Sequence, residues 1–481
     1  MGFKIRLIAS IALIISLISK NAEANVYQSC IEAAGSTIIT CAVAGQVTSS
    51  SRVSPNTVVS TEVRLLTIAN QNFQTIPDGI FYGMTITDLI LNSNSLTSLT
   101  STTFGNATSI ASIAISETNL NSIESTAFTP ITSSLRSLSL ISSGLTITRL
   151  NTLKTGFTPL TALTTLILDT NSIISLQNGV FDSLTGLTTL SVKSNTLAGL
   201  ESNVFSRNTA LTSLDLSENS LTDMSQVTAA LTPIASTLQT LTLNNNRIAA
   251  LTDLPSLTAL RSIDLSNNLI ATLSSTTSFS LATALTSIKM ASNRLTTVPS
   301  ILNQANLIEL DMSNQGGSYV AVAANAFART STPSVGVFVN LDNNTITTFD
   351  TKSFCSTGTQ YYSKVTIDYD SFSAFNKCLF QQMQPPSAGL SVEFYITPKD
   401  GVSDYSSICN CDNKVFATNY QITLTGACAN FTDSCSTTTY SNTCASDYTC
   451  VRTTSGSSTI RFEYIAFIIL NTLFLISFKQ F

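Results

Sequence analysis

Residues 163–176 read LTTLILDTNSIISL, residues 187–200 read LTTLSVKSNTLAGL, and residues 211–224 read LTSLDLSENSLTDM. They are three copies of one template, Leu-x-x-Leu-x-Leu-x-x-Asn-x-Leu, with a further apolar residue three places on. Asn171, Asn195 and Asn219 stand 24 residues apart. A fixed period of this size marks a stack of coils, none of which buries its apolar side alone. Within one copy, Leu166 and Leu168 flank Ile167 in the alternation of a short strand, with the two leucines inward. Asn171 follows where the chain turns. Its amide both donates and accepts, so it suits backbone groups that a bend leaves unpaired. Ile173 and Leu176 then return to the core. Stacked copies bring their strands about 4.8 Å apart in a parallel sheet.

The period extends in both directions. With the Asn place as marker, thirteen coils are read at Gln71, Asn94, Thr118, Ser143, Asn171, Asn195, Asn219, Asn246, Asn268, Asn293, Gln315, Asn344 and Asp370. A second column supports this register: Phe81, Phe104, Phe128, Phe181, Phe205 and Phe354 each follow their marker by ten residues. Stacked rings are expected there, as a spine inside the convex side. A Leu-rich helical core would show a period of 3.6 and not this beat. Spacing is loose at 143–171, 219–246 and 315–344, where the extra residues are expected in loops.

These residues resemble the leucine-rich repeat family, in the class of about 24 residues found in extracellular receptors and matrix proteins. The resemblance covers residues 60–380. It implies an α/β-type solenoid, a curved horseshoe with a parallel β-sheet on the concave face and a mostly irregular convex side. It also implies that the concave face binds a protein, peptide or glycan.

The two ends point to the cell surface. Residues 1–24 have a basic start at Lys4 and Arg6, a short apolar core and an Ala22-Glu23-Ala24 cleavage pattern, the features of a secretory signal. Residues 25–60, with Cys30 and Cys41, are read as an N-terminal cap over the first coil. The repeat is assigned to 61–380 and a Cys-rich cap or stem to 381–452. Cys355 and Cys378 are about one repeat apart, and Cys409, Cys411, Cys428, Cys435, Cys444 and Cys450 form a dense run. In a secreted chain these are disulfide candidates, with the pairing in the run left open. Residues 453–481 combine small residues, a polar spacer and an apolar end, the pattern of a GPI-attachment signal with Ser455, Gly456 and Ser457 as candidate sites. A membrane span would need about 20 apolar residues, more than this interrupted run holds. Asn106, Asn343 and Asn430 begin Asn-x-Ser/Thr glycan acceptors.

Chemistry is limited by what is missing. The chain has no histidine, which removes His-based triads and histidine metal ligation. A zinc site would further want a Cys-x-x-Cys pair. No glycine-rich phosphate loop is present. Carboxylates on alternate coils would stand about 9–10 Å apart on an open face, unlike the closed cleft of a glycosidase. No enzyme activity and no cofactor are expected. Charged residues are 11% and the net charge is −5, without a basic stripe, so no nucleic-acid partner is expected.

The outward strand positions are mostly small and polar. The candidate ligand-binding residues among them are Asp215, Asp264, Lys289, Asp311, Asp342, Asp368 and the nearby Tyr369. The acidic residues gather from coil seven onward, which suits a basic patch on a protein ligand. The expected function is recognition or adhesion at the cell surface through a protein or glycan ligand, with the membrane reached through a GPI lipid. The same surface also suits a structural coat protein without a specific ligand, or a secreted inhibitor or pattern-binding protein.

Overall fold

A computed structural model describes residues 62–429 with short interior gaps, preceded by the backbone of two strands, Ile31–Glu32 and Ile38–Cys41. The signal peptide, the attachment residues Ser455, Gly456 and Ser457, Asn106, Asn430, Cys30, Cys355, Cys411, Cys435, Cys444 and Cys450 lie outside the described residues.

The repeat becomes one seventeen-stranded sheet. β1 (Ile31–Glu32) pairs antiparallel with β2 (Ile38–Cys41). Every later neighbour is parallel. The first coils supply β3 (Glu62–Ile68), β4 (Thr85–Asn92), β5 (Ser112–Ser116) and β6 (Ser137–Ile141). The middle coils supply β7 (Thr165–Ile167), β8 (Thr189–Ser191), β9 (Ser213–Asp215), β10 (Thr240–Thr242) and β11 (Ser262–Asp264). Next come β12 (Ser287–Lys289), β13 (Glu309–Asp311), β14 (Val337–Asn340) and β15 (Tyr362–Asp368). From β3 to β15 these are the strands of the thirteen coils counted in the sequence. The sheet then runs past residue 380 into β16 (Val392–Thr397) and β17 (Ile422–Gly426). These two lack the Leu–Asn template and keep only its alternation, with Val392, Phe394 and Ile396 buried.

The inward leucines stack in register, Leu166 on Leu190, Leu214 and Leu241, all fully buried. Each coil from β3 to β14 then bends through one left-handed residue just before its marker: Thr170 has φ 57°, Ser194 53° and Glu218 55°. That conformation costs a non-glycine residue about 1–2 kcal/mol. The marker offsets it. Asn195 Nδ2 donates to the carbonyls of Leu168 (3.0 Å), Val192 (3.2 Å) and Lys193 (3.1 Å). Its Oδ1 accepts the N–H of Ile173 in the preceding coil at 3.0 Å. Asn219, Asn246, Asn268 and Asn293 repeat the pattern, and Gln315 makes it with the longer amide.

The ladder is irregular at Thr118, Ser143 and the thirteenth marker. At Thr118 the hydroxyl oxygen is buried without a hydrogen-bond partner among the described residues, whereas the Ser143 hydroxyl donates to the carbonyls of Ile115 and Ile141, both at 3.2 Å. The thirteenth marker, read at Asp370, is displaced. Asp370 lies in the one-turn helix Tyr369–Phe372 and pairs with Lys399 at 2.7 Å on the surface. Its place is taken by Asp368, whose Oδ2 accepts the Asn344 N–H at 3.0 Å, and by Ser371, whose hydroxyl accepts from Ile346 at 2.9 Å.

The phenylalanine spine is present in segments. Ring centroids lie 6.0 Å apart for Phe81–Phe104, 5.5 Å for Phe104–Phe128 and 6.3 Å for Phe181–Phe205, all stacked. Phe354 instead tilts against Phe327 at 4.9 Å. Between the first two segments stands the loose spacing at 143–171, and here the structure departs from the expected loop. It holds helix α1 (Ile147–Phe157), capped by Thr146, which buries Leu150, Leu153 and Phe157 on one face. A Cβ on Gly156 would meet Ile123 at 2.3 Å, so α1 packs directly on the convex strand Ser122–Ile123, which itself pairs with Ser98–Leu99. The second loose coil likewise holds α2 (Met224–Leu231), capped by Asp223. At 315–344 a short strand, Val320–Val322, pairs with Ile346–Phe349.

The predicted bridging of the C-terminal region is seen where it is described. Cys409 and Cys428 are bonded to each other, and the buried Cys378 is also in a disulfide.

Two substitutions test the ladder by chemical denaturation. Thr118→Asn is expected to stabilise the fold by about 1 kcal/mol, by supplying the missing amide. Asn219→Ala removes four bonds from a full rung and is expected to cost about 2–4 kcal/mol.

Candidate ligand-binding face

The sheet turns its outward side chains to the concave face in three columns. The register sets Asp215, Thr242, Asp264, Lys289, Asp311 and Asn340 side by side across β9 to β14. Beyond them the column continues through Thr366 and Tyr395 to Thr425. A parallel column two residues earlier runs Ser287, Glu309, Phe338, Lys364, Glu393 and Thr423.

The carboxylates of the first column have a local task. Asp215 Oδ1 accepts the N–H of Ser217 at 2.8 Å, and Asp264 Oδ1 that of Ser266 at 2.9 Å. Asp311 Oδ1 accepts from the Ser313 amide at 3.0 Å and its hydroxyl at 2.7 Å. Asn340 makes the same bond to Asp342 at 3.1 Å. An Asx residue bonding two positions on is a turn-former, and here it ends each strand ahead of the left-handed residue. One oxygen is used in this way, and the charge stays on the face.

The charges on this face are unequally matched. Lys193 pairs with Glu218 at 3.1 Å, Lys289 with Glu309 at 3.5 Å, and Lys364 with Glu393 at 3.1 Å. Among the described residues, Asp169, Asp215, Asp264, Asp311 and Asp342 form no ion pair. Asp342 Oδ1 is buried without a hydrogen-bond partner. The lysines are thus neutralised by glutamates, and the aspartates are left as net negative charge.

Environment shifts several of these groups. Burial pushes the Asp169 carboxyl up, against bonds from the Ser191 hydroxyl (2.6 Å) and the Lys193 amide (3.0 Å), and Asp215 adds to the rise. Glu218 is held down by the Ser194 hydroxyl first and by Lys193 second. The same carboxylate raises Lys193.

Two of the sequence candidates leave the open face. Asp368 commits both oxygens, to the amides of Asn344 and Ser371. Tyr369 packs edge-on against Tyr405 at 5.5 Å, with its hydroxyl 3.2 Å from that of Ser407. Asn343 is exposed at the rim in the left-handed bend, its Nδ2 donating to Asn314 Oδ1 at 2.9 Å.

Four residues of the face escaped the sequence reading: Phe338, Lys364, Glu393 and Tyr395. Lys364 stands 4.6 Å from the centre of the Tyr395 ring. Phe338 and Lys364 occupy a column not included in that reading, and β16 lies past the last counted coil. The alternation in VEFYIT at 392–397 was the available signal.

Comparison with known proteins agrees with this architecture. Residues 161–224 match a leucine rich repeat model, residues 236–277 a two-copy leucine rich repeat model, and residues 60–154 a BspA type leucine rich repeat region. The chain is a leucine-rich repeat protein. No curated protein sequence matches it. Among solved structures this leucine-rich repeat protein is similar to TLR13 in a complex with ssRNA13, with TM-score 0.52 and 20% identity over 75% of this chain and 53% of that one. It spans about half the length of that protein. Toll, in the Toll–Spatzle complex of Drosophila, gives TM-score 0.45 and 17% identity over 76% of this chain and 51% of that one. An internalin (inlF) from Listeria monocytogenes gives 0.43 and 17% over 70% and 82%. The likeness to TLR13 is one of fold. Solenoids of this kind are typically binding scaffolds without catalysis.

Asp169 provides a pH test of the face. Its folded pKa is raised, so the fold disfavours the ionised form, and that penalty appears as pH rises through the folded pKa. Asp169→Asn is expected to be more stable than the wild type at neutral pH. The gap should close as pH falls below the ordinary carboxylate range, read from thermal midpoints across a pH series.

Proposed function

We propose that this leucine-rich repeat protein is a cell-surface recognition protein that binds a basic protein partner through its concave face. The observation that carries the reading is the charge imbalance just described. Among the described residues, every lysine of the strand positions is paired, while five aspartates from Asp169 to Asp342 are not. Opposed charge steers association and fixes register more than it adds affinity. A face built mainly of small polar residues gives weak single contacts. Many copies on one membrane would multiply them. The same acidic face opposes a phosphate backbone, which favours a protein partner over nucleic acid.

Attachment by a GPI lipid at residues 455–457 belongs to the same reading. It rests on the small, polar and apolar order of residues 453–481. Among the described residues no helix is long and apolar enough to cross a membrane.

Two experiments test these claims. Full-length protein displayed on eukaryotic cells is expected to enter the medium after phosphatidylinositol-specific phospholipase C. Surface staining that survives both this enzyme and nitrous-acid cleavage of the glycan core would defeat the anchor. The released ectodomain is then compared with its triple variant Asp215→Asn, Asp264→Asn and Asp311→Asn on immobilised oligolysine and oligoarginine peptides. Asn340 already caps β14 as those asparagines would cap theirs, so the fold is expected to persist. The variant should bind at least about fivefold more weakly at low salt and lose most of its salt dependence. Equal binding by both forms would sink the acidic-face reading.

A further inference from the structure

The acidic face accounts for attraction but not for anchorage. Tight interfaces rely on a few aromatic or arginine contacts in largely desolvated places. From β3 to β13 the outward strand positions hold no aromatic residue. They first occur at Phe338 on β14 and Tyr395 on β16, both half-buried. The two rings are in different states. Tyr395 is occupied from within: the Lys364 ammonium lies 4.6 Å from its centre and 3.1 Å from Glu393. Lys364 is the direct neighbour of Phe338 across the β14–β15 pairing, yet its charge is drawn to β16 on the far side.

On its other side Phe338 stands opposite Glu309, with Asp311 two residues along the same strand. Both acids are held in place by one oxygen. Glu309 Oε2 accepts from the Ser287 hydroxyl at 2.8 Å and faces Lys289 at 3.5 Å. Asp311 Oδ1 takes the Ser313 bonds and the Asn340 amide at 3.0 Å. Among the described residues the second oxygen of each carboxylate has no partner. This is an aromatic face beside two fixed carboxylates; Lys289 reaches Glu309 Oε2 from the far side, and among the described residues no cation lies over the Phe338 ring.

We infer that Phe338, Glu309 and Asp311 form the anchoring subsite of the face and that it takes an arginine side chain of the partner. A guanidinium stacks on an aromatic ring and at the same time donates to carboxylates in its plane. An ammonium can meet a ring and one carboxylate, as Lys364 does, but as a compact, strongly hydrated point charge it cannot stack and serve two carboxylates in one plane. The subsite therefore selects arginine over lysine, whereas the remaining aspartates attract either. This inference rests on the basic partner proposed above.

Its test uses the phospholipase-released ectodomain with hexa-arginine and hexa-lysine peptides at fixed ionic strength. The wild type is expected to bind hexa-arginine about fivefold tighter than hexa-lysine. Phe338→Leu should bring the arginine peptide down to the lysine level and leave the lysine peptide unchanged. Glu309→Gln, which leaves the ring in place, should reduce the preference in part and serves if the leucine variant does not fold. Tyr395→Leu should leave the preference intact. Equal binding of the two peptides by the wild type, or a preference that survives both Phe338→Leu and Glu309→Gln, overturns the subsite while the acidic-face reading stands. Binding of neither peptide overturns both.

Discussion

The asparagine rung is the interaction on which the rest of this structure depends. A coil of this kind must turn sharply from a strand toward its convex side, and it does so through a left-handed residue just before the marker. Serine, threonine, glutamate and asparagine all occupy that position, and none is at ease there. What permits it is a buried amide one residue later, which bonds its own coil and the coil before it in a single contact. Asn195 and Asn219 satisfy carbonyls and an amide that no ladder partner reaches. Because each rung needs the preceding coil, stability is a property of the stack. The coil at Thr118 shows the converse: between the full rung of Asn94 and the hydroxyl rung of Ser143, one poor rung is tolerated.

The convex side is under a looser constraint. It must place an apolar group of suitable volume inside each coil, and several solutions occur. Six coils use a phenylalanine at the tenth place after the marker. The coil after Ser143 uses α1 and buries Phe157 at its end, with Gly156 close against Ile123. The coil after Asn219 uses α2 with Met224, Val227 and Leu231. Extra residues thus become helix where a three- or four-residue apolar spacing lets them bury one side. The concave strands do not vary in this way, since each must match both neighbours in hydrogen-bond register.

The concave face joins structure and recognition in the same side chains. Asp215, Asp264 and Asp311 close their strands with one carboxylate oxygen and charge the surface with the group as a whole. Asn340 performs the structural half of that task without the charge. The comparison separates the two roles within one molecule: the cap explains why an Asx residue stands there, and the cap alone does not explain why three of the four are acidic.

Period and polarity were legible in the sequence. The 24-residue spacing of Asn171, Asn195 and Asn219 determined the solenoid, and the strand alternation determined the outward column from Asp215 to Asn340. These are local features, repeated often enough that no neighbour outside the repeat was needed to read them. The tertiary structure decided the rest. It moved the last rung from Asp370 to Asp368 and Ser371, because the chain there enters a helical turn that takes Asp370 to Lys399. It extended the sheet through β16 and β17, which carry alternation but no template, so that only backbone pairing reveals them. It also decided which charges on the face are spent. Glu218, Glu309 and Glu393 each meet a lysine more than twenty residues away in sequence or on an adjacent coil, and the aspartates beside them do not. Such pairings depend on the distance between neighbouring coils, a quantity that no single repeat contains.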